Sequence, residues 1–275
     1  AALLNVSVAA EVNYQLDLAQ VKQQQAEITM RLTNVEKGPV TIVMASASPG
    51  RYARHDFAKN IFDLRAFDAE AKPLQITRTS AATWQVVADS KDIVVKYRLF
   101  ADHADGTYSQ IDRRHAHLNI PATFMFAPAF AAEPVNLSIV NKPQQWRVAS
   151  QLSQVQGQWR AKNLDDFMDS PLEISEHQWL SFTQASHGNN YQINIALHHQ
   201  GTAAQGEHLK TLVQAFVKEQ QAIFGELPDY AGKQYTFLAD YLPAVASDGM
   251  EHRNSTVVTD DRSLLQAEYA QVETM

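Results

Sequence analysis

Hydrophobic and polar residues alternate along most of the first two-thirds of the chain, with the period of a β-strand that buries one face. The longest alternating run is Val6, Val8, Ala10, Val12, Tyr14, Leu16 and Leu18. Shorter runs lie at 28–32, 40–44, 93–99 and 135–139, separated by turn-forming Gly and Pro residues. Many short strands without intervening helices are typical of an antiparallel β-sandwich, which we predict over residues 1–168.

A second pattern, which combines strands with a helix, begins at Asp169-Ser170-Pro171. Its predicted strands are 191–197, 233–241 and 256–259. Residues 206–226 carry their apolar side chains on one stripe of an amphipathic helix. A further helix is predicted to start at 261–263 and runs to Met275 without a stop signal. We therefore expect residues 169–275 to be the first part of an α/β domain that is incomplete in this chain.

Composition narrows the range of partners. The 275 residues carry a formal net charge of −7, and Lys and Arg are scattered, which argues against a nucleic-acid partner. The chain has no cysteine, which excludes disulfides and thiolate chemistry. It contains no apolar run long enough for a transmembrane helix, so we expect no membrane span. The N-terminal Ala1-Ala2-Leu3-Leu4 does not have the features of a signal peptide.

The segment Gly249-Met250-Glu251-His252-Arg253-Asn254-Ser255-Thr256 is the strongest candidate for a binding site. It places a charged cluster directly after the apolar strand 235–242, so a carboxylate on a rigid element could meet a cationic group of a ligand. The alternative is a structural ion pair between Glu251 and Arg253. We find no G-x-S-x-G or Gly-rich phosphate loop, so the residues do not support serine-hydrolase or nucleotide chemistry.

Four further landmarks occur in the same order as in a known peptidase family. They are Pro49-Gly50-Arg51-Tyr52 with His55-Asp56-Phe57-Ala58-Lys59-Asn60-Ile61, then Asp169-Ser170-Pro171-Leu172-Glu173-Ile174, Phe224-Gly225-Glu226-Leu227-Pro228 and Tyr235-Thr236-Phe237. Together with the segment 249–256, they make the chain resemble the glycyl aminopeptidase family of zinc metallopeptidases. The resemblance covers nearly the whole chain.

The resemblance implies an N-terminal β-sandwich, a thermolysin-like α/β catalytic domain and usually a C-terminal PDZ domain. It implies removal of N-terminal glycine or other small residues from peptides with a free N-terminus, in the periplasm or outside the cell. Zinc is held in that family by two His of an H-E-x-x-H helix and a later Glu. No H-E-x-x-H occurs in this chain. We therefore expect zinc in the full-length enzyme, but no catalytic residue, no metal and no turnover in this chain.

The resemblance also assigns roles within the segment 249–256. Related zinc aminopeptidases carry G-x-M-E-N on an edge strand, where the Glu binds the α-ammonium group and the backbone near Gly and Met pairs with the peptide. Gly249, Met250 and Glu251 match that motif, whereas His252 stands in place of its Asn. His252 and Arg253 are predicted either to contact substrate or to hold the loop in place.

Other polar residues allow two interpretations. Tyr52 and Arg54 could contact substrate in a cleft, or their loop could pack against the second domain.

Two pairs of histidines also have to be considered as metal ligands. His115 and His117 have the spacing of metal ligands on one strand face, and His198 and His199 point to opposite faces. Because neither pair has a neighbouring carboxylate cluster in the sequence, we expect both to be structural.

A function of another class remains open, namely a non-catalytic peptide- or partner-binding β-sandwich. In the fragment interpretation, exposed apolar surface on the 204–226 helix is expected to favour self-association.

Overall fold

The computed structural model describes residues 10–243 and 245–262. Its strands, in chain order, are β1 (Val12–Asp17), β2 (Gln25–Leu32), β3 (Gly38–Val43), β4 (Ile61–Asp68), β5 (Pro73–Leu74), β6 (Ile76–Ser80), β7 (Thr83–Ala88), β8 (Ile93–Phe100), β9 (Gln110–Ile111), β10 (His115–Leu118), β11 (Val135–Val140), β12 (Arg147–Ser150), β13 (Ser153–Val155), β14 (Gln158–Ala161), β15 (Leu172–Ser175), β16 (Gln178–Ser186), β17 (Asn189–His199), β18 (Gln234–Tyr241), β19 (Asp248–Glu251) and β20 (Ser255–Asp260). The α-helices are α1 (Ile120–Thr123), α2 (Leu164–Met168) and α3 (Ala203–Phe224). Short 3-10 turns lie at Val21–Gln23, Phe57–Asn60, Pro128–Phe130 and Ala231–Lys233.

Three sheets make up the first part of the chain. An eight-stranded sheet has the order β13-β14-β11-β1-β2-β8-β4-β5, and β3-β7-β6 and β12-β15-β10-β9 form two smaller sheets. All three contribute side chains to one continuous hydrophobic core. The prediction of a mainly β protein is therefore confirmed.

One strand pair departs from the predicted antiparallel arrangement. β1 and β11 are parallel neighbours, with Val12 opposite Val135. A parallel pair needs a long crossover connection, and here nearly the whole first part of the chain lies between the two strands. The alternation of apolar and polar residues cannot reveal a parallel pair, because a strand shows the same alternation whether its neighbour runs parallel or antiparallel to it.

Aromatic rings fill the centre of the core. Tyr14 stacks on Phe167 at a centroid distance of 5.2 Å and meets Phe124 edge-on at 5.1 Å. The Tyr14 hydroxyl donates a 2.7 Å hydrogen bond to the Met125 carbonyl, which satisfies a polar group that is cut off from water. Burial raises the pKa of Tyr14 well above its ordinary value, so the hydroxyl remains a donor.

The periodicity missed strand β4 for a local reason. Its register against β8 shifts between Phe62 and Arg65, and Asp63 takes a left-handed φ of 53°. A β-bulge inserts an extra residue and breaks the two-residue period. The Arg98 Nε donates a 2.8 Å hydrogen bond to the Asp63 carboxylate across this bulge.

The second part of the chain is a five-stranded mixed sheet of order β16-β17-β18-β20-β19. Helix α3 connects the parallel strands β17 and β18, and it buries Leu209, Val213 and Val217. A reciprocal capping box of Thr202 and Gln205 starts the helix. The predicted helix and three predicted strands of this part are confirmed, with ends shifted by a few residues.

The strand pairing shows which residues belong to the sheets of each part. β15 pairs with β10 and β12, so residues 172–175 belong to the sheets of the first part, whereas β16 opens the second sheet. Predicted elements at Val6, Val8 and from residue 263 onward lie outside the described residues. No helix in the described ranges has the length and apolar character needed to cross a membrane.

Candidate functional site

The candidate segment forms β19, the strand at one edge of the five-stranded sheet. It pairs antiparallel with β20, with Met250 opposite Val257 and Glu251 opposite Thr256. Met250 is buried in a small apolar cluster with Leu238 and Val257. Because neighbouring strand residues point to opposite faces, burial of Met250 turns the Glu251 side chain to the other face.

Glu251 is exposed and lines an open cavity of about 480 Å³. The cavity lies on the α3 face of the sheet, with walls that include Tyr235, Thr256 and Arg262. Burial raises the pKa of Tyr235 to about 12, so this wall keeps a neutral hydroxyl. Within residues 10–243 and 245–262, Glu251 forms no ion pair. Its carboxylate is therefore free of other described cations.

The first part of the chain holds β19 through contacts that the sequence did not predict. The Arg51 guanidinium forms an ion pair with Asp248 and donates a 3.3 Å hydrogen bond to the Gly249 carbonyl. The Gly106 amide donates a 3.0 Å hydrogen bond to the same Asp248 carboxylate. A Cβ atom at Gly106 would lie 2.7 Å from Met250 Cβ, so only glycine permits this close approach.

His252 and Arg253 both contact the junction residue Asp169. His252 Nδ1 lies 3.0 Å from Asp169 Oδ1, and the Arg253 amide donates a 3.0 Å hydrogen bond to Asp169 Oδ2. The Arg253 guanidinium lies 3.8 Å from Asp166, not against Glu251. Two landmark motifs separated by about eighty residues thus meet in space. These contacts support the structural interpretation of His252 and Arg253.

Burial raises the pKa of Asp169, but hydrogen bonds from His252 and the Arg253 amide outweigh it and hold the pKa below its ordinary value. Replacement of Asp169 by Asn is expected to lower the free energy of unfolding at neutral pH by about 1–2 kcal/mol, because two hydrogen bonds lose a charged acceptor. The carboxylate stabilises the fold above its unfolded pKa of about 3.9, and this contribution disappears as the pH falls through the folded value.

Urea denaturation from neutral to acid pH tests this expectation, with Asp165→Asn on the exposed side of α2 as the matched control. Asp169→Asn should lose less stability on acidification than the unchanged chain, since it no longer has this titrating group. An identical pH dependence of the two proteins would contradict the assigned contacts.

Tyr52 and Arg54 lie on the loop that contains Arg51, and both are exposed. Tyr52 is fully solvent-exposed at 105% and contacts no described ring. By contrast, Phe57 is buried and packs at 5.3 Å from both His55 and Tyr108. Phe57 therefore anchors one part of the loop in the core, whereas Tyr52 and Arg54 lie in a part that a ligand can reach.

The residues around Glu251 do not fit a catalytic zinc site. His252 turns Nδ1 toward Asp169, and the sequence has no H-E-x-x-H helix that would supply paired histidines. No step of a metal-dependent reaction can therefore be assigned to residues of this segment.

The histidines of the two predicted pairs lie elsewhere, and three of them have carboxylate neighbours that the sequence did not reveal. His115, His117 and His198 are buried together with the carboxylates of Glu173 and Asp240. Folding creates the carboxylate cluster that is missing from the local sequence. Burial lowers the pKa of His115, but the two carboxylates outweigh this and raise it to about 10.

Comparison with known proteins identifies the family of the first part of the chain. Residues 13–176 match the peptidase M61 N-terminal domain. Among curated protein sequences, none matches the chain.

The solved structures that share its fold include the following two proteins. An aminopeptidase N family protein from Idiomarina loihiensis superposes with a TM-score of 0.74 at 21% identity, over 90% of this chain and 42% of that protein. Legionella pneumophila aminopeptidase A, solved in complex with aspartic acid, gives a TM-score of 0.53 at 10% identity, over 90% of this chain and 30% of that protein. The chain thus spans less than half the length of each.

Proposed function

The chain belongs to the family of the peptidase M61 N-terminal domain, and on this basis we propose that it is part of a zinc-dependent aminopeptidase. The enzyme would remove N-terminal glycine or other small residues from peptides with a free N-terminus. The family match covers 13–176, and we propose that the five-stranded sheet after it begins a thermolysin-like catalytic domain. The zinc ligands would then lie outside these 275 residues.

The observation that carries the proposal is the position of Glu251. An exposed carboxylate on an edge strand, beside a cavity and without a described ion-pair partner, fits an α-ammonium group. Such a pair is a charge-assisted hydrogen bond, which an internal peptide group cannot form. Selectivity for the free N-terminus follows, because an acylated amine leaves the carboxylate unpaired.

The geometry of β19 supports the remaining contacts. An edge strand offers unpaired backbone groups to an extended peptide, which can add to the sheet as a further strand. Asp248, clamped by Arg51 and the Gly106 amide, holds this edge rigidly against the first part of the chain. Tyr52 and Arg54 are proposed as outer contacts for the peptide, because both are exposed on the loop that begins at this clamp.

The coding sequence beyond Met275 tests the proposal most directly. An in-frame H-E-x-x-H with a later Glu, together with hydrolysis of a glycyl anilide by the full-length product, is the expected result. We expect no turnover by the 275-residue chain alone. A stop codon directly after Met275 would contradict the proposed zinc enzyme and would leave the second candidate, a non-catalytic module that binds peptide N-termini at the open edge of β19.

Self-association is a separate proposal. It is supported by the exposure of Ile223 and Phe224 at the end of α3, which are 72% and 74% exposed.

A further inference from the structure

Five ionisable side chains converge where the small sheet of the first part meets the five-stranded sheet. His115 and His117 come from β10 and Glu173 from the adjacent β15, with His117 directly opposite Glu173. His198 and Asp240 are direct neighbours on β17 and β18. Their exposed fractions are 0% for His115, Glu173 and Asp240, 1% for His117 and 8% for His198. Each sheet thus contributes both imidazole and carboxylate groups.

Four of the six distances among the converging ligand atoms are close to those in a tetrahedral metal shell. His115 Nδ1 lies 3.4 Å from Glu173 Oε1 and 3.6 Å from Asp240 Oδ1. His198 Nδ1 lies 3.5 Å and 3.1 Å from the same two oxygens. Ligands that bind zinc at about 2.0–2.1 Å in a tetrahedron are roughly 3.3–3.4 Å apart. The four side chains, with one ligand atom each, lie within 4.8 Å of one another.

An outer hydrogen bond leaves the inner nitrogen of His115 without a proton when its ring is neutral. His115 Nε2 lies 2.8 Å from Gln110 Oε1, and the Gln110 amide nitrogen donates to the Asp102 carbonyl, which orients the amide. His117 Nε2 lies 2.9 Å from the Asp105 carbonyl. Gln110 Oε1 requires a proton on His115 Nε2, so the Nδ1 of the neutral His115 ring presents its lone pair to the centre. Metal-binding histidines are oriented in this way by an outer acceptor. His117 Nδ1 instead faces Asp240 Oδ2 at 2.9 Å, which it can hold only as a donor.

Several of the inner atoms are buried and lack protein partners, although His198 Nδ1 and Asp240 Oδ1 form a hydrogen bond with each other. Among the described residues, His115 Nδ1, His117 Nδ1, both Glu173 oxygens and Asp240 Oδ2 have no hydrogen-bond partner. Two buried carboxylates require compensating positive charge. Protonated histidines could supply it, but the Nδ1–H group of His115 would not be aligned with the oxygens. A cation placed between the four ligand atoms would give His115 Nδ1 and Glu173 Oε1 a partner, and it would replace the 3.1 Å hydrogen bond between His198 Nδ1 and Asp240 Oδ1.

We propose that His115, His198, Glu173 and Asp240 bind one divalent transition-metal ion of the zinc type between the two sheets. Imidazole nitrogens favour zinc and similar first-row metals over magnesium or calcium, which prefer all-oxygen sites. His117 is a positioning residue, since its Nδ1 lies 2.9 Å from Asp240 Oδ2 and 3.5 Å from Glu173 Oε2.

The site is structural. Its ligands are closed off from solvent and leave no position for substrate, as in structural zinc centres. Because each sheet supplies two ligands, the ion would join the first part of the chain to the sheet that carries β19. This inference is independent of the proposed peptidase activity and replaces our expectation of a metal-free chain.

Metal analysis of the untagged 275-residue chain tests the inference. After loading with Zn²⁺ and removal of loosely held metal, we expect one zinc per chain, and a strong chelator should lower Tm. His198→Gln and Asp240→Asn should lose the bound zinc. His187→Gln is the matched control, because His187 also pairs with a carboxylate, Glu226, but lies on the surface. It should retain the metal.

Two measurements keep the test decisive if a ligand variant fails to fold. Gln110→Leu removes only the outer acceptor of His115 and should weaken zinc binding about 10–100-fold. Co²⁺ loaded into the unchanged chain should show the visible absorption of a tetrahedral site, and Zn²⁺ should displace it. A folded, unchanged chain that retains no zinc and gives no such spectrum would overturn the inference. Equal zinc retention by His198→Gln and His187→Gln would overturn it as well.

Discussion

Replacement of Glu251 by Gln in the full-length protein should lower kcat/KM for substrates with a free amine by roughly 30- to 1000-fold, or about 2–4 kcal/mol. The amide keeps the shape of the side chain but removes the negative charge that would pair with the α-ammonium group. Because Glu251 is exposed and forms no ion pair within the described residues, this change should leave folding intact. Hydrolysis of a glycyl anilide, with kcat and KM measured separately, gives the result.

Glu219→Gln is the matched control for this variant, since Glu219 is an exposed carboxylate on α3 away from β19. It should hydrolyse the anilide at the rate of the unchanged enzyme. The ratio of activity on a free-amine substrate to activity on its N-acetylated analogue should fall only in Glu251→Gln. An unchanged ratio would remove Glu251 from the proposed amine-binding role.

The largest expected effect on stability comes from the aromatic core. Phe167→Ala should lower the free energy of unfolding by about 3–5 kcal/mol, because it removes a fully buried ring and leaves a cavity. Phe167 stacks on Tyr14 and lies 5.2 Å from Phe124, so two further aromatic contacts are lost. Urea denaturation followed by circular dichroism measures the change.

Phe224→Ala is the matched control for Phe167→Ala, because it removes the same type of side chain from the surface. Phe224 is 74% exposed at the end of α3, and its truncation should change the stability by less than about 0.5 kcal/mol. Similar losses in the two variants would mean that Phe167 does not occupy the packed centre of the first part of the chain.

The elements that the sequence predicted well are those with a strong local period. Helix α3 was recognised because its stripe of apolar residues spans several turns and Gly225 and Pro228 follow it. In the structure Gly225 ends the helix with a left-handed φ of 83°. Strand β4 was not selected, because its bulge interrupts the alternation at Asp63. A periodic pattern of apolar residues therefore indicates only the conformation of the segment that carries it.

The sequence also located the candidate segment 249–256, but not the contacts that hold it. Arg51 and Asp248 are about two hundred residues apart, and His252 and Asp169 about eighty, so no local signal connects either pair. Gly106 is explained only by its close approach to Met250. The assignment of substrate-binding roles to Gly249, Met250 and Glu251 rests on the motif and is still a prediction.

By itself, the amino-acid sequence determined a mainly β chain, the strand–helix–strand order of its second part and the residue types of the candidate binding edge. Only the tertiary structure decided that β1 and β11 are parallel, and that His115 and Asp240 share one buried centre. The physical reason is that periodicity depends on the burial of one face of a single element. The position of a strand in a sheet, and the charges that meet between sheets, depend on packing between distant parts of the chain.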